Sequence, residues 1–429
     1  MNYPSNNLSV ELKRMRGTDS VEKEHRLHSS GFLHGNIAVI AASSAIKGFG
    51  GQIIGTYIPM YFLILGGSPL TLGLMGSITS VIQCVTLLLG GFIADYYGRR
   101  KIIVFTAFYS VISPLLYAFI QDWRIFAALS IIGVLGTLSA PASKAIVADS
   151  LPPEKRTTGI ASLQVISSLS LIVAPIIGGW LIQTQNLPNG FRLACIYTVA
   201  TAFTSASIVF LFLKETLHRR PAAKSKVINS SKLMNFLKLP RSLPNSLKAL
   251  MIPYALVVFA NGAVGQYYIL YAHDSIGITA LEWGIIVSLQ FLLANILKIP
   301  GGWLSDKFGK RKIMIISVLT CAPCTILFTL SQSFLQALTV ALLLIVTGIY
   351  YLPAHMALQS DLTPRIMRGR ITALFGIISA LSAASGSLAG GFLFQSVNPA
   401  TPFYLFTVAE LVATFFIISI LREPTKREV

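Results

Sequence analysis

The chain has 429 residues, of which 54% are hydrophobic and only 12% are charged. A soluble protein normally carries about 25% charged residues to hydrate its surface, so this composition excludes an ordinary soluble enzyme. It also excludes a disordered chain, because disordered segments are poor in apolar residues. Twelve spans of about 20 residues would use roughly 240 positions and leave short loops. The composition therefore predicts a polytopic, all-α membrane protein.

Twelve apolar runs follow a polar amino-terminal segment. Their approximate bounds are 36–65, 70–94, 102–120, 125–148, 159–182, 191–213, 249–272, 283–304, 313–330, 335–358, 371–394 and 402–421. Residues 1–35 lack the apolar core and small-residue cleavage site of a signal peptide, so we interpret them as a cytoplasmic tail. A basic linker, 214–248, divides the remainder into two six-helix bundles, 36–213 and 249–421, and 422–429 form a second cytoplasmic tail.

Basic residues are divided unevenly between the two sides of the membrane. With the amino terminus in the cytoplasm, 29 of the 34 lysine and arginine residues fall on that side, and only Arg124 and Arg192 fall on the other. This split follows the positive-inside rule and predicts a multi-pass protein of the cell membrane with both termini cytoplasmic. The net charge of +18 therefore reflects topology and indicates no nucleic-acid partner.

The two halves of the chain repeat each other. The segment GGFIADYYGRRK begins at Gly90 and GGWLSDKFGKRK begins at Gly301, an offset of 211 residues. Two further motifs recur at an offset of 212, namely Asp149, Pro152 and Arg156 as Asp361, Pro364 and Arg368, and Ala174, Pro175, Gly178 and Gly179 as Gly386, Ser387, Gly390 and Gly391. Parallel repeats predict a pseudo-twofold axis along the membrane normal and a binding site at the interface of the halves.

At these residues the sequence resembles the major facilitator superfamily, a large family of secondary transporters. The family motif G-x-x-x-D-x-x-G-R/K-R/K occurs between spans 2 and 3 and again between spans 8 and 9, with Tyr96 as a departure at a position that is often basic. The matching residues are Gly91, Asp95, Gly98, Arg99, Arg100, Gly302, Asp306, Gly309, Lys310 and Arg311. The resemblance implies that these motif residues form a cytoplasmic gate together with Asp149, Arg156, Asp361 and Arg368.

Helix electrostatics agree with that implication. A carboxylate at a helix end can accept hydrogen bonds from the exposed N–H groups at the start of a neighbouring helix. We expect Asp95 to do this for span 11 and Asp306 for span 5, while Arg99 reaches Asp149 and Lys310 reaches Asp361. The alternative is that these charges only set the orientation of the protein.

Span 5 carries a run that resembles the motif of antiporter members of the family. The small and kinking residues of this run and of its repeat in span 11 are Ala174, Pro175, Gly178, Gly179, Gly386 and Gly390. Small residues at regular spacing allow helices to approach closely, which predicts a role in helix packing. The resemblance further implies antiport and export.

The resemblance places spans 1, 4, 7 and 10 around a central cavity. The polar candidates on these spans are Lys47, Tyr61, Lys144, Asn261, Tyr268, Tyr271, Tyr351 and His355. A charge within a span costs about 2.5–3.5 kcal/mol on insertion scales, and tyrosines suit an amphipathic substrate. The alternatives are snorkelling lysines and polar groups satisfied in the core. His355 is also a candidate carrier of a coupling proton.

The cavity spans carry no Asp or Glu near their centres. The carboxylate deepest in a span, Glu410, lies in span 12, which we interpret as peripheral to the cavity. With Lys47 and Lys144 as the charged candidates, the balance favours a neutral or anionic substrate. Cys321 and Cys324 form a C-x-x-C pair without further ligands, so we expect no metal and no cofactor apart from a coupling proton or ion.

We therefore predict a secondary transporter that moves small organic molecules by alternating access as a monomer in the bilayer. Its predicted mode is efflux by antiport. An importer of an organic anion or metabolite and a broad multidrug exporter remain alternatives. An enzyme would need a nucleophile with its base or clustered metal ligands in the cavity, and the sequence offers neither. A receptor or scaffold would need a large extramembrane domain, so both classes are remote.

Overall fold

The computed structural model describes residues 35–151, 156–216, 245–364 and 367–421, and within these all side chains except those of 156–162, 299, 302 and 306. Both predicted tails and most of the linker lie outside the described residues, as do the side chains of Arg156, Gly302 and Asp306. Within the described ranges, twelve helices are long and apolar enough to cross a membrane. This confirms the predicted all-α membrane fold and its twelve spans.

Eight of the spans are continuous helices over the described residues. They are span 2 (Pro69–Tyr97), span 3 (Arg99–Tyr117), span 5 (Arg156–Gln185), span 6 (Leu187–Phe212), span 8 (Ala280–Phe308), span 9 (Lys310–Thr329), span 11 (Arg368–Ser396) and span 12 (Thr401–Ser419). Helix bounds differ from the predicted runs by a few residues, because apolar runs end before the polar first and last turns of the helices.

The other four spans, 1, 4, 7 and 10, are interrupted. Span 1 consists of Asn36–Gly55 and Ile58–Ile64, span 4 of Trp123–Gly133, a 3₁₀ turn Val134–Leu138 and Ser139–Ser150, span 7 of Asn245–Val264, Tyr268–Tyr271 and a π turn Ala272–Ile276, and span 10 of Phe334–Gly348 and Tyr351–Asp361. Irregular backbone at membrane depth is tolerated where it is covered by protein or lines a cavity. The interruptions are therefore places where the backbone is covered by protein or lines a cavity.

Local signals at the helix ends repeat in the two halves. Ser68 and Thr279 cap spans 2 and 8 and each forms a capping box with the residue three positions later. At the other end of these spans, Gly98 and Gly309 have φ values of +99° and +92°. Only glycine adopts this region without a steric penalty, so the two motif glycines end spans 2 and 8 and allow a sharp turn into the next span.

The two halves meet on one face of the membrane bundle. We call the face with the turns at Gly98 and Gly309 the motif face, and the face where spans 2 and 8 begin the opposite face. Span 2 packs along span 11 and span 5 packs along span 8. Near the opposite face a single buried apolar cluster contains residues of both halves, whereas the buried clusters toward the motif face each belong to one half over the described residues.

Candidate functional site

A buried tyrosine ties the first half to the second on the opposite face. Tyr57 lies at the interruption of span 1 and is fully buried. Its hydroxyl group donates toward the carbonyl oxygen of Pro175 in span 5, at 2.7 Å, and toward that of Ala280 at the start of span 8, at 3.0 Å. One hydroxyl therefore links a span of its own half to a span of the other.

The second half repeats this arrangement. Tyr267 lies at the interruption of span 7 and is also fully buried. Its hydroxyl donates toward the carbonyl oxygen of Ser387 in span 11, at 3.1 Å, and toward that of Pro69 at the start of span 2, at 3.3 Å. We call Tyr57, Tyr267 and their four carbonyl partners the tyrosine contacts. They close the opposite face with the same geometry in each half.

Glycines make the tyrosine contacts sterically possible. A Cβ atom at Gly179 would lie 2.5 Å from the carbonyl oxygen of Ala280 and 2.6 Å from the hydroxyl of Tyr57. At Gly391 it would lie 2.6 Å from the carbonyl oxygen of Pro69 and 2.7 Å from the hydroxyl of Tyr267. The small-residue runs of spans 5 and 11 thus sit at the helix crossings that join the two halves.

On the motif face the described charges pair within each half. Arg99 forms an ion pair with Asp149, and Lys310 forms one with Asp361. The guanidinium groups of Arg100 and Arg311 donate to the carbonyl oxygens of Phe210 and of Ile417 and Ile418, at the ends of spans 6 and 12. These contacts fasten the turns at Gly98 and Gly309 to their own bundles.

Asp95 makes no hydrogen bond or ion pair with the described residues of span 11 in this conformation. Its side chain is 72% exposed, and its ion-pair partner is Arg99, at 3.9 Å. Arg368, at the start of span 11, is also exposed. The predicted bond between Asp95 and the start of span 11 is therefore open here, as expected when the halves are separate on the motif face.

A cavity of about 910 Å³ lies between the halves. Span 1 contributes part of its wall, and the remainder of the described wall comes from spans 7 to 12. The wall is largely apolar, with hydrogen-bonding side chains distributed along it. These include Gln52, Thr56, Tyr254, Asn261, Gln266, Tyr268, Gln290, Lys298, Tyr351, Ser379 and Glu410.

Three of the predicted cavity residues line this cavity, namely Asn261, Tyr268 and Tyr351. His355 lies directly behind the wall. It is 1% exposed and stacks on the cavity residue Tyr254, with 4.3 Å between ring centroids, and neither ring nitrogen has a hydrogen-bond partner among the described residues. The histidine is therefore separated from the cavity by aromatic rings.

Two predicted tyrosines pack in the cores of their own halves. Tyr61 stacks on Phe191, with 4.0 Å between ring centroids, and donates to the carbonyl oxygen of Ile120 at 3.3 Å. The hydroxyl of Tyr271 donates to the carbonyl oxygen of Thr329 at 2.9 Å. Both hydroxyls are satisfied by backbone, and neither tyrosine is among the residues that line the cavity.

The predicted cationic residues also lie apart from the cavity. Lys47 is half-buried and makes no hydrogen bond or ion pair with any residue that the structure describes, and Lys144 is exposed. The lysine on the wall is instead Lys298 of span 8, whose ammonium donates to the side-chain oxygen of Asn295 at 3.2 Å. The same oxygen accepts a hydrogen bond from Ser168 of span 5 at 2.7 Å.

Sequence reasoning missed three glutamines on the wall. The amide of Gln52 donates to Thr56 at 3.2 Å, that of Gln266 to Ser387 at 3.3 Å, and that of Gln290 to the carbonyl oxygen of Ala341 at 3.0 Å. Polar amides within spans are costly in lipid and usually face the protein interior. Their position in apolar runs is a signal that could have identified them.

The position of Glu410 shows that the prediction of a peripheral span 12 was wrong. Span 12 is not peripheral at this residue, because Glu410 lines the cavity while only 3% of its surface is exposed. Tyr268, Cys321 and Tyr351 lie within electrostatic range of its carboxyl group. The wall of the cavity therefore includes a buried carboxyl group, whereas the sequence predicted a cavity without one.

Duplicated halves, closure on one face and an internal cavity between them together define the architecture of a secondary transporter. The sequence profile of the Major Facilitator Superfamily matches residues 40–284 and 250–429. The chain belongs to the major facilitator superfamily.

Two curated relatives illustrate the similarity. The multidrug resistance protein MdtG of Proteus mirabilis is 24% identical over 384 residues, which cover 87% of this chain and 92% of the relative. An uncharacterized MFS-type transporter of Methanocaldococcus jannaschii is 24% identical over 400 residues, which cover 90% of this chain and 95% of the relative. Both similarities extend over nearly the whole of each protein.

Solved structures agree in fold. The human organic anion transporter MFSD10 superposes with a TM-score of 0.64 at 19% identity, covering 89% of this chain and 98% of that chain. A bacterial homologue of the human lysosomal transporter Spinster, in an inward-facing and occupied conformation, superposes with a TM-score of 0.73 at 16% identity, covering 90% and 96%. At these identities the likeness is one of fold alone.

Proposed function

We propose that this protein exports small organic molecules across the cell membrane by alternating access, as an antiporter. The observation that carries the proposal is the cavity of about 910 Å³ between two halves that are joined on the opposite face and separate toward the motif face. Ligand cavities commonly measure about 300–1,000 Å³. The cavity is therefore large enough to hold a drug-sized molecule.

The motif face is cytoplasmic in this proposal. The split of basic residues between the two sides supports that orientation. The conformation is then inward-facing, and the tyrosine contacts form the closed outer gate. Turnover to the outward-facing state requires that these contacts break and that Asp95 reaches the start of span 11 at the same time.

Export and antiport are supported by the small-residue run of span 5 and by the names of relatives. Ala174, Pro175, Gly178 and Gly179 resemble the motif of antiporters in the family, and relatives from several enterobacteria are named multidrug resistance proteins. A monomer suffices for this function, since one chain supplies both halves and the entire described wall of the cavity.

The wall favours amphipathic substrates. Apolar and aromatic side chains supply contact area, and the three glutamines, Asn261 and the tyrosines supply hydrogen bonds. The expectation of a neutral or anionic substrate rested on Lys47 and Lys144, and neither lysine lines the cavity. The described charges on the wall are one lysine, Lys298, and one carboxyl, Glu410, so the wall has no cationic excess.

The test is extrusion of dyes from energised cells that express the protein, compared with cells that carry an empty vector. Rhodamine 6G, Nile red and fluorescein represent cationic, neutral and anionic amphipathic compounds. The proposal expects faster loss of at least one preloaded dye from expressing cells. Faster uptake would favour the importer, and unchanged retention of all three dyes would contradict export of amphipathic compounds.

A further inference from the structure

The cavity extends into the second half, beyond the four spans that the family resemblance assigns to it. Cys321 of span 9 and Phe406 and Glu410 of span 12 lie on its wall, together with Tyr268 of span 7 and Tyr351 of span 10. We call these five residues the Glu410 recess. All five residues belong to the second bundle, whereas span 1 of the first bundle lines another part of the same cavity.

Glu410 lacks a cationic partner. It is 3% exposed, and none of the ion pairs of the described residues includes it. The described groups within electrostatic range of its carboxyl group include no lysine or arginine; they are Tyr268 of span 7, Cys321 of span 9 and Tyr351 of span 10. Span 11 contributes Ser379 to the same wall, and span 8 contributes Lys298.

Ionising a buried carboxyl group that has no partner is costly, because the charge loses its hydration. Membrane proteins retain such groups chiefly along substrate and ion pathways. A cation bound beside Glu410 would remove this cost. A divalent metal ion is a poor candidate, because hard cations need several oxygen ligands and the described wall offers one carboxyl group.

Aromatic rings line the same cavity. Tyr268 and Phe328 meet edge to face, with 5.1 Å between centroids, and Trp283 meets Phe328 at 6.5 Å. All three rings and Phe406 line the cavity. Aromatic faces attract organic cations, most strongly where water is excluded. A carboxyl group beside several rings is therefore suited to an organic cation with apolar substituents.

We propose that the Glu410 recess binds the positively charged group of lipophilic organic cations and is the subsite that selects them as substrates. Glu410 supplies the charge, and Tyr268 and Phe406 of the recess supply aromatic contacts. Trp283 and Phe328 on the wall of the same cavity add further aromatic surface. The inference rests on the proposed export function and assigns to it a substrate class. It also replaces the anion preference with a preference for cations.

The test uses two probes of the same shape and opposite charge, tetraphenylphosphonium and tetraphenylborate. Binding to the purified full-length protein in detergent is measured by titration calorimetry, with protein-free micelles as the blank. Glu410→Gln keeps the size of the side chain and removes its charge. We expect it to weaken tetraphenylphosphonium binding at least tenfold and to leave tetraphenylborate binding equal or stronger.

Two further variants control for folding and for charge. Asp274→Asn removes an exposed carboxylate of the same half, outside the cavity, and should bind both probes like the wild type. Phe406→Leu keeps an apolar side chain without an aromatic face, and should weaken tetraphenylphosphonium severalfold even if Glu410→Gln does not fold. Equal affinity of the wild type and Glu410→Gln for tetraphenylphosphonium would overturn the inference, as would an equal loss for both probes.

A flux measurement separates this inference from the proposed function. Wild-type and Glu410→Gln proteins are reconstituted in proteoliposomes, and flux of tetraphenylphosphonium and of Nile red is compared. Selective loss of tetraphenylphosphonium flux in the variant supports the recess as the cation subsite. If the variant transports both compounds at the wild-type rate, the inference about the recess fails and the export proposal stands. If the wild-type protein moves neither compound, the export proposal fails whatever the binding data show.

Discussion

Tyr57 and Tyr267 are counterparts in the two halves, 210 residues apart, and each hydroxyl joins a carbonyl of its own half to the first residue of a span in the other half. A typical hydrogen bond contributes about 0.5–1.5 kcal/mol net. Contacts of this size hold one face closed and can still break during transport. Closure in this conformation therefore depends on interactions that are specific in geometry and modest in energy.

Removing either hydroxyl should loosen the opposite face. We expect Tyr57→Phe and Tyr267→Phe each to destabilise the closed arrangement by about 1 kcal/mol, because two carbonyl acceptors lose a donor. The measurement is the rate at which a membrane-impermeant maleimide, added from the opposite face, labels a cysteine at Thr56, a residue on the cavity wall. The background protein lacks its four native cysteines.

Tyr109→Phe is the matched control for these variants. The hydroxyl of Tyr109 donates to the carbonyl oxygen of Ile132 at 2.8 Å, within the first half. This variant also loses one tyrosine hydroxyl but none of the bonds between the halves. Labelling should rise severalfold in Tyr57→Phe or Tyr267→Phe and stay unchanged in Tyr109→Phe. An equal rate in all four proteins would show that the hydroxyls do not hold the face closed.

Close steric fit at the crossing of spans 2 and 11 should also contribute to the stability of the folded protein. Gly391→Ala places a methyl group 2.6 Å from a carbonyl oxygen, so the helices must separate, at a cost of about 1–3 kcal/mol. Gly376→Ala, on the same helix, meets no atom within 4 Å. Thermal unfolding in detergent should show a lower melting temperature for Gly391→Ala alone. Equal melting temperatures would mean that the crossing tolerates the added group.

Asp95 should matter for turnover rather than for folding. In this conformation its carboxylate is 72% exposed, so Asp95→Asn should leave the melting temperature nearly unchanged. We expect substrate flux in proteoliposomes to fall severalfold, since the variant weakens the contact proposed with span 11 in the outward-facing state. Flux at the wild-type level would show that Asp95 is not part of the gate and serves only to orient the protein in the membrane.

The two lysines of spans 8 and 1 should differ in their effect on anions. Lys298 lines the cavity and Lys47 does not, so Lys298→Gln should weaken tetraphenylborate binding severalfold and Lys47→Gln should leave it unchanged. Calorimetric titration of both variants measures this difference. Weaker binding in Lys47→Gln together with normal binding in Lys298→Gln would place the anion-sensitive part of the cavity along span 1.

Much of the fold follows from signals that act locally along the chain. Apolar runs of sufficient length predicted all twelve spans, and the duplicated motifs predicted two equivalent halves. The turns at Gly98 and Gly309 also have a local cause, because a glycine between an apolar run and basic residues is typical of a sharp helix end. Arg99 and Asp149 form an ion pair that the motif spacing had suggested.

The site was less predictable, because membership of the wall depends on how each helix is rotated about its axis. Tyr268 faces the cavity, while Tyr271, three residues later, points to Thr329. Lys47 and Lys298 are both lysines within spans, and only their positions relative to neighbouring helices distinguish them. Helical periodicity relates residues on one face of a span but does not state which face meets the cavity.

The sequence by itself determined the number of spans, the repeat and the family, because insertion into a bilayer and helix termination depend on local composition and a few motif residues. The tertiary structure decided which polar groups meet across the interface. Tyr57 contacts Ala280, and Glu410 lines the cavity, only when helices that are distant in sequence pack side by side. Packing of such helices depends on the shapes of both surfaces, and no single segment encodes that contact.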